Sequence, residues 1–71
     1  MDTRILEEIG LNRTEIKIYL ALLELGQSTT TPIIRKAGIH PAKVYEFIDK
    51  LVKKGLVSYV VKSNKKYFSA N

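Results

Sequence analysis

A chain of 71 residues, 45% of them hydrophobic, makes one small domain, and a chain this short buries only about 60% of its unfolded surface. No cysteine and a single histidine rule out a disulfide and argue against a structural zinc site, so stability must come from apolar packing or a partner chain. The net charge of +5 is uneven: six basic and seven acidic side chains are mixed through Asp49, and six lysines with no acid follow from Lys50 onward. Such a one-sign tail fits either a polyanionic partner or a solubilising surface.

Taken in order, residues 3–9 carry Ile5, Leu6 and Ile9 on one side, with Asp2 or Thr3 as a cap and Gly10 as the stop. Asn12 is a strong N-cap for a helix over 13–25, and Glu15 stands where its side chain can reach back to the cap. Leu11 is placed for a hydrophobic staple to Ile16. Ile16, Tyr19, Leu20 and Leu23 form one stripe of that helix, which Ile18, Leu22 and Leu25 widen. A helix this apolar must be largely buried, or must pack on two partners.

Gly26 ends it, and Ser28, Thr29 and Thr30 each suit the cap of a short helix over 30–37 with Pro32 in its first turn. Gly38-Ile39-His40 is a tight turn into a helix over 41–54, with Pro41 at its start and Gly55 placed for its C-terminal cap. Val44, Phe47, Ile48 and Leu51 follow the spacing of a buried stripe, and Ala42, Lys43, Glu46, Asp49, Lys50 and Lys53 fall opposite. A short helix, a tight turn with glycine and a longer helix make a helix-turn-helix.

After Gly55 the residues are β-branched and aromatic, as strands prefer. Strands over about 57–61 and 66–70 flank the polar turn Lys62-Ser63-Asn64-Lys65-Lys66, in which Asn64 suits a positive φ. The expected fold is therefore α+β and mainly α: a winged helix-turn-helix in which helices precede a two-stranded basic wing, one domain over 1–71.

Ile9-Gly10-Leu11-Asn12-Arg13-Thr14-Glu15-Ile16-Lys17-Ile18-Tyr19-Leu20-Ala21-Leu22-Leu23 resembles the opening of the archaeal TrmB-like regulators, roughly Leu-Gly-Leu-Thr-x-x-Glu-Ala-Lys-Val-Tyr-Leu-Ala-Leu-Leu. Ala37-Gly38-Ile39 and Lys43-Val44-Tyr45-Glu46 resemble that family's recognition-helix segment, and Leu51 to Val57 its closing segment. The resemblance implies a winged-helix DNA-binding domain acting in transcription, with the helix 41–54 in the major groove. Where relatives often have proline at 40 and a basic or small polar residue at 41 and 42, this chain has His40-Pro41-Ala42, which leaves base reading to His40 or Lys43. Many relatives also carry a long C-terminal extension that binds sugars and dimerises. The chain stops at Asn71, so a stand-alone version and an excised domain are both open, and no small-molecule effector is inferable.

Candidate DNA contacts each have a structural alternative. Lys43, in the first turn of the recognition helix, can meet a phosphate or guanine edge, or be simply solvated. His40 can cap the helix, touch DNA, or both. The Tyr45 hydroxyl can bond a phosphate, or the ring can be a partly buried core residue. Thr30 and Thr31 can donate to a phosphate, although capping is the first role for one of them. Lys62, Asn64, Lys65 and Lys66 can hold the backbone or minor-groove rim, or keep an edge strand from pairing with other chains. Glu46 with Lys50 reads as an ordinary i, i+4 ion pair.

No catalytic constellation, cofactor or metal is expected: there is no cysteine nucleophile or phosphate-binding glycine loop, and Glu7 and Glu8 do not face each other. With no apolar run near the roughly 18 residues of a membrane span and no signal-peptide pattern, the expectation is a soluble, cytoplasmic, nucleoid-associated protein. The expected function is sequence-specific binding of double-stranded DNA in transcription regulation, as a homodimer through apolar surface of the 13–25 or 3–9 helix. The alternative is a winged-helix module for protein–protein contact in a larger transcription-related complex, for which the acidic residues of the recognition helix and the missing base-reading side chain at 41–42 speak.

Overall fold

The computed structural model describes residues 3–71. Four α-helices precede one antiparallel hairpin: α1 (Thr3–Glu8), α2 (Arg13–Leu25), α3 (Thr30–Ala37), α4 (Val44–Lys53), β1 (Val57–Lys62) and β2 (Lys65–Ala70), with a 3-10 turn (Pro41–Lys43) before α4. Asp2, one of the two candidate caps of α1, lies outside the described residues, and Thr3 is the first helical residue.

The centre of the packing is α2, which touches α1, α3, α4 and β2. Asn12 Oδ1 accepts from the Glu15 N–H at 2.8 Å, and Glu15 Oε1 accepts from the Asn12 N–H at 2.9 Å, so two of the orphan donors at this helix start are satisfied. Ile18 and Leu22 are buried in one cluster with Ile33 of α3, Val44, Ile48 and Leu51 of α4, Val57 of β1 and Phe68 of β2; Leu11 and Ile16 belong to the same cluster. The apolar stripe of α2 is only partly covered. Leu23 and Leu25 remain exposed, as do Ile5 of α1 and Ile9 just after it. A six-residue α1 spans about 9 Å, too short to cover that side of the 13-residue α2.

The helix expected over 41–54 starts differently. Lys43 N–H donates to His40 O, an i→i−3 bond that tightens residues 41–43 into a 3-10 turn, and the regular helix begins at Val44. At the other end Gly55, at φ +79°, lets its own N–H reach Val52 O and the Leu56 N–H reach Leu51 O. These two bonds satisfy carbonyls that the helix end leaves open, and they turn the chain into β1.

The wing is longer than the sequence spacing implies. Lys62 pairs with Lys65, so the connection is only Ser63-Asn64, both at positive φ (51° and 64°). That is the two-residue turn whose twist matches antiparallel strands. Lys62, Lys65 and Lys66 are therefore strand residues and not turn residues. Ser28 makes an isolated bridge to the edge of β2: its N–H donates to Phe68 O at 2.8 Å and its carbonyl accepts from the Phe68 N–H at 2.7 Å. This bridge ties the wing to the loop between α2 and α3. Ser28 is thus a sheet residue and no cap; Thr29 takes the cap position of α3, without a side-chain cap bond.

Candidate nucleic-acid interface

Ser28 positions more than the sheet. By pinning the α2–α3 loop to β2 it brings the start of α3 beside the wing tip. Between them lies an open cleft of about 470 Å³ lined by Thr29, Thr30, Thr31, Tyr45, Asn64, Lys65, Lys66 and Phe68. Six of the nine candidate contacts (Thr30, Thr31, Tyr45, Asn64, Lys65 and Lys66) come together in this lining. Phe68 forms its floor from the core, and Thr29 its rim. Neither stands out in the sequence, because the cleft arises only from the Ser28–Phe68 bridge.

Tyr45 is 58% exposed, so it is not a core residue. Thr30 and Thr31 are first-turn residues of α3 and not its cap, so their hydroxyls face no capping duty. The Lys66 ammonium lies over the Tyr59 ring at 4.7 Å from its centroid, and that ring is tilted against Phe68. This stacking holds one wing lysine on the cleft side of the hairpin.

Three candidates lie elsewhere. Lys62 turns away from the cleft: its Nζ donates to Gln27 Oε1 at 3.3 Å and sits 5.8 Å from the centre of the Tyr67 ring. His40 Nδ1 accepts from the Ala42 N–H at 3.1 Å, which makes it the side-chain cap of the 3-10 turn. Lys43 is exposed at the last residue of that turn.

The expected Glu46–Lys50 pair does not form. Lys50 instead places its ammonium 5.3 Å from the centre of the Phe47 ring, covering an apolar edge of the helix. Among the described residues, the side chains of Glu46 and Asp49 have no hydrogen-bond or ion-pair partner. The outward face of α4 thus offers two uncompensated carboxylates.

Among the described residues, no group of three or more acidic, histidine or cysteine side chains is arranged to hold a metal. No helix there is long and apolar enough to cross a membrane.

Known proteins resemble this chain in sequence and in fold. The family model for the sugar-specific transcriptional regulator TrmB matches residues 6–71. The HTH-type sugar sensing transcriptional regulator TrmBL1 of Pyrococcus furiosus is 33% identical over 66 residues, which is 93% of this chain and 19% of the relative. The chain therefore spans about a fifth of the length of the curated relative it matches. A solved structure of Sso10a-2, a DNA-binding protein from Sulfolobus solfataricus, is similar with a TM-score of 0.65 at 23% identity, over 78% of this chain and 60% of that one. At that identity the likeness shows the fold, a winged helix.

Proposed function

The chain belongs to the TrmB family of transcriptional regulators, and on that premise we propose that it binds double-stranded DNA with α4 in the major groove and the wing on the backbone. The observation that carries this reading is the cleft between the start of α3, Tyr45 and the wing tip. Helix-start amides, an exposed phenol and two lysines converge there on one open space. Each is a donor or a cation, so the chemistry they share is that of an anion acceptor.

In this arrangement Lys65 and Lys66 neutralise phosphates, and Thr30, Thr31 and the Tyr45 hydroxyl donate to phosphate oxygens. Asn64 lies over the groove rim. Lys43 and His40, at the leading end of the recognition helix, reach the opposite strand. Lys62 contributes to the general positive field from the outer side of the wing. The directly opposed Lys62 and Lys65 are a like-charge pair that costs stability in the free protein, and a polyanion relieves that repulsion.

Exposed Ile5, Ile9 and Leu23 support a homodimer through α1 and α2, the arrangement a palindromic operator would require. A transcription regulator of this kind acts in the cytoplasm on the nucleoid.

The test is binding to random-sequence and genomic duplexes across a salt series. A steep fall of log K with log salt, reduced when Lys65 and Lys66 are replaced, supports the reading. Absence of binding at low salt, alongside a stable protein complex, would turn it toward a protein–protein module, which the free carboxylates of α4 would then serve.

A further inference from the structure

The buried stripe of α4 is Val44, Ile48 and Leu51. At about 100° per residue, Glu46 lies roughly 200° from Val44, at the middle of the opposite side. Lys53 shares that middle line two turns further on; Lys50 falls on one flank, and Tyr45 and Asp49 fall on the other, of which Tyr45 lines the wing cleft. When a helix enters a major groove, its flanks run along the two phosphate rows and its central outward residue points to the base edges. On this helix that residue is a carboxylate with no hydrogen-bond or ion-pair partner among the described residues.

We propose that Glu46 is the specificity-determining residue of the recognition helix and reads the N4 amino group of a cytosine. This inference rests on the DNA-binding reading above. A carboxylate only accepts, and in the major groove it meets acceptors at guanine (N7 and O6) and at thymine (O4). Adenine offers an N6 amino group beside the acceptor N7, whereas cytosine offers its N4 amino group alone. Cytosine is thus the base edge that satisfies Glu46 without an adjacent repulsion. Guanine at the same place is rejected, because it leaves a desolvated carboxylate against two acceptors. The wing lysines and Lys50 supply affinity that carries no sequence information, and the central carboxylate trades some of it for discrimination.

The experiment is selection from a randomised duplex library by the 71-residue chain, its Glu46→Gln variant and its Glu46→Ala variant. Salt-dependent affinity for a fixed random duplex and thermal melting are measured alongside. The expected wild-type motif has a cytosine that disappears in Glu46→Ala, with a loss of discrimination there on the order of tenfold. Glutamine pairs with adenine N6 and N7, so Glu46→Gln is expected to move the preference at that position to adenine. Affinity for the random duplex should hold or rise in both variants, and melting should stay unchanged. Both variants enriching the wild-type motif overturns the assignment of Glu46 and leaves the DNA reading standing. So does a wild type that binds DNA tightly and enriches no motif. Failure of the wild type to bind any duplex at low salt overturns the DNA reading, and the assignment with it.

Discussion

Glu15 and Lys54 are 39 residues apart in sequence, and the Lys54 ammonium donates to Glu15 Oε2 at 3.2 Å. Glu15 is buried, and its other carboxylate oxygen already closes the capping box of α2. Lys54 also donates to Gly10 O at 3.1 Å. One side chain at the end of the recognition helix therefore ties down the start of the central helix and the loop before it.

Removing either partner is expected to destabilise the fold unequally. Lys54→Met leaves a buried carboxylate without its cation and should cost about 2–3 kcal/mol, below the range for fully buried pairs because Lys54 is partly solvated. Glu15→Ala loses the cap acceptor as well as the pair and should cost about 2 kcal/mol or more. Glu15→Gln keeps an acceptor for the Asn12 N–H and should cost about 1 kcal/mol. Urea unfolding of the three variants checks this order, and equal costs for Gln and Ala would show that the capping role is minor.

The wing lysines are expected to separate by position. Lys65→Ala and Lys66→Ala should each lower the slope of log K against log salt by about one, the contribution of one phosphate contact. Lys62→Ala should change it much less, because that ammonium is held by Gln27 outside the cleft. A salt titration of each single variant on one duplex decides the matter. Equal slopes for all three would mean that the wing acts as a diffuse charge.

Tyr45→Phe probes a hydroxyl that has no hydrogen-bond partner among the described residues. Losing one hydrogen bond to a phosphate should weaken DNA binding by about 0.5–1.5 kcal/mol. Stability should be unchanged, because the ring is largely solvent-exposed. Melting and binding measured on one preparation separate the two effects.

Gly55→Ala tests backbone conformation alone. A Cβ at this position would meet no atom within 4 Å, yet the residue sits at φ +79°. The expected cost is about 1–2 kcal/mol, the penalty for an ordinary residue in the left-handed region. Gly55→Asn should cost less, since asparagine tolerates that region better. Denaturant midpoints for the two variants provide the comparison.

Much of the architecture is legible in local signals. Asn12 and Glu15 mark a helix start three residues apart, and Gly38 and Gly55 mark helix ends through backbone freedom alone. The spacing of Val44, Ile48 and Leu51 marks a buried face. Each of these depends on residues within a turn or two of one another. The side chains of the cleft are also visible in the sequence as donors and cations, although nothing in it joins Thr30 and Thr31 to Lys65 and Lys66.

Hydrophobic period, caps and turn residues act over short range, and so the elements, their order and the sign of the charge on the wing follow from the chain alone. Only the tertiary structure decided which of those residues meet. The Ser28–Phe68 bridge makes the cleft, and Gln27 draws Lys62 out of it. The Phe47 ring takes Lys50 from Glu46, and Glu15 finds its cation across the core at Lys54. Each outcome is a competition among partners distant in sequence, settled by distance and desolvation once the helices have packed.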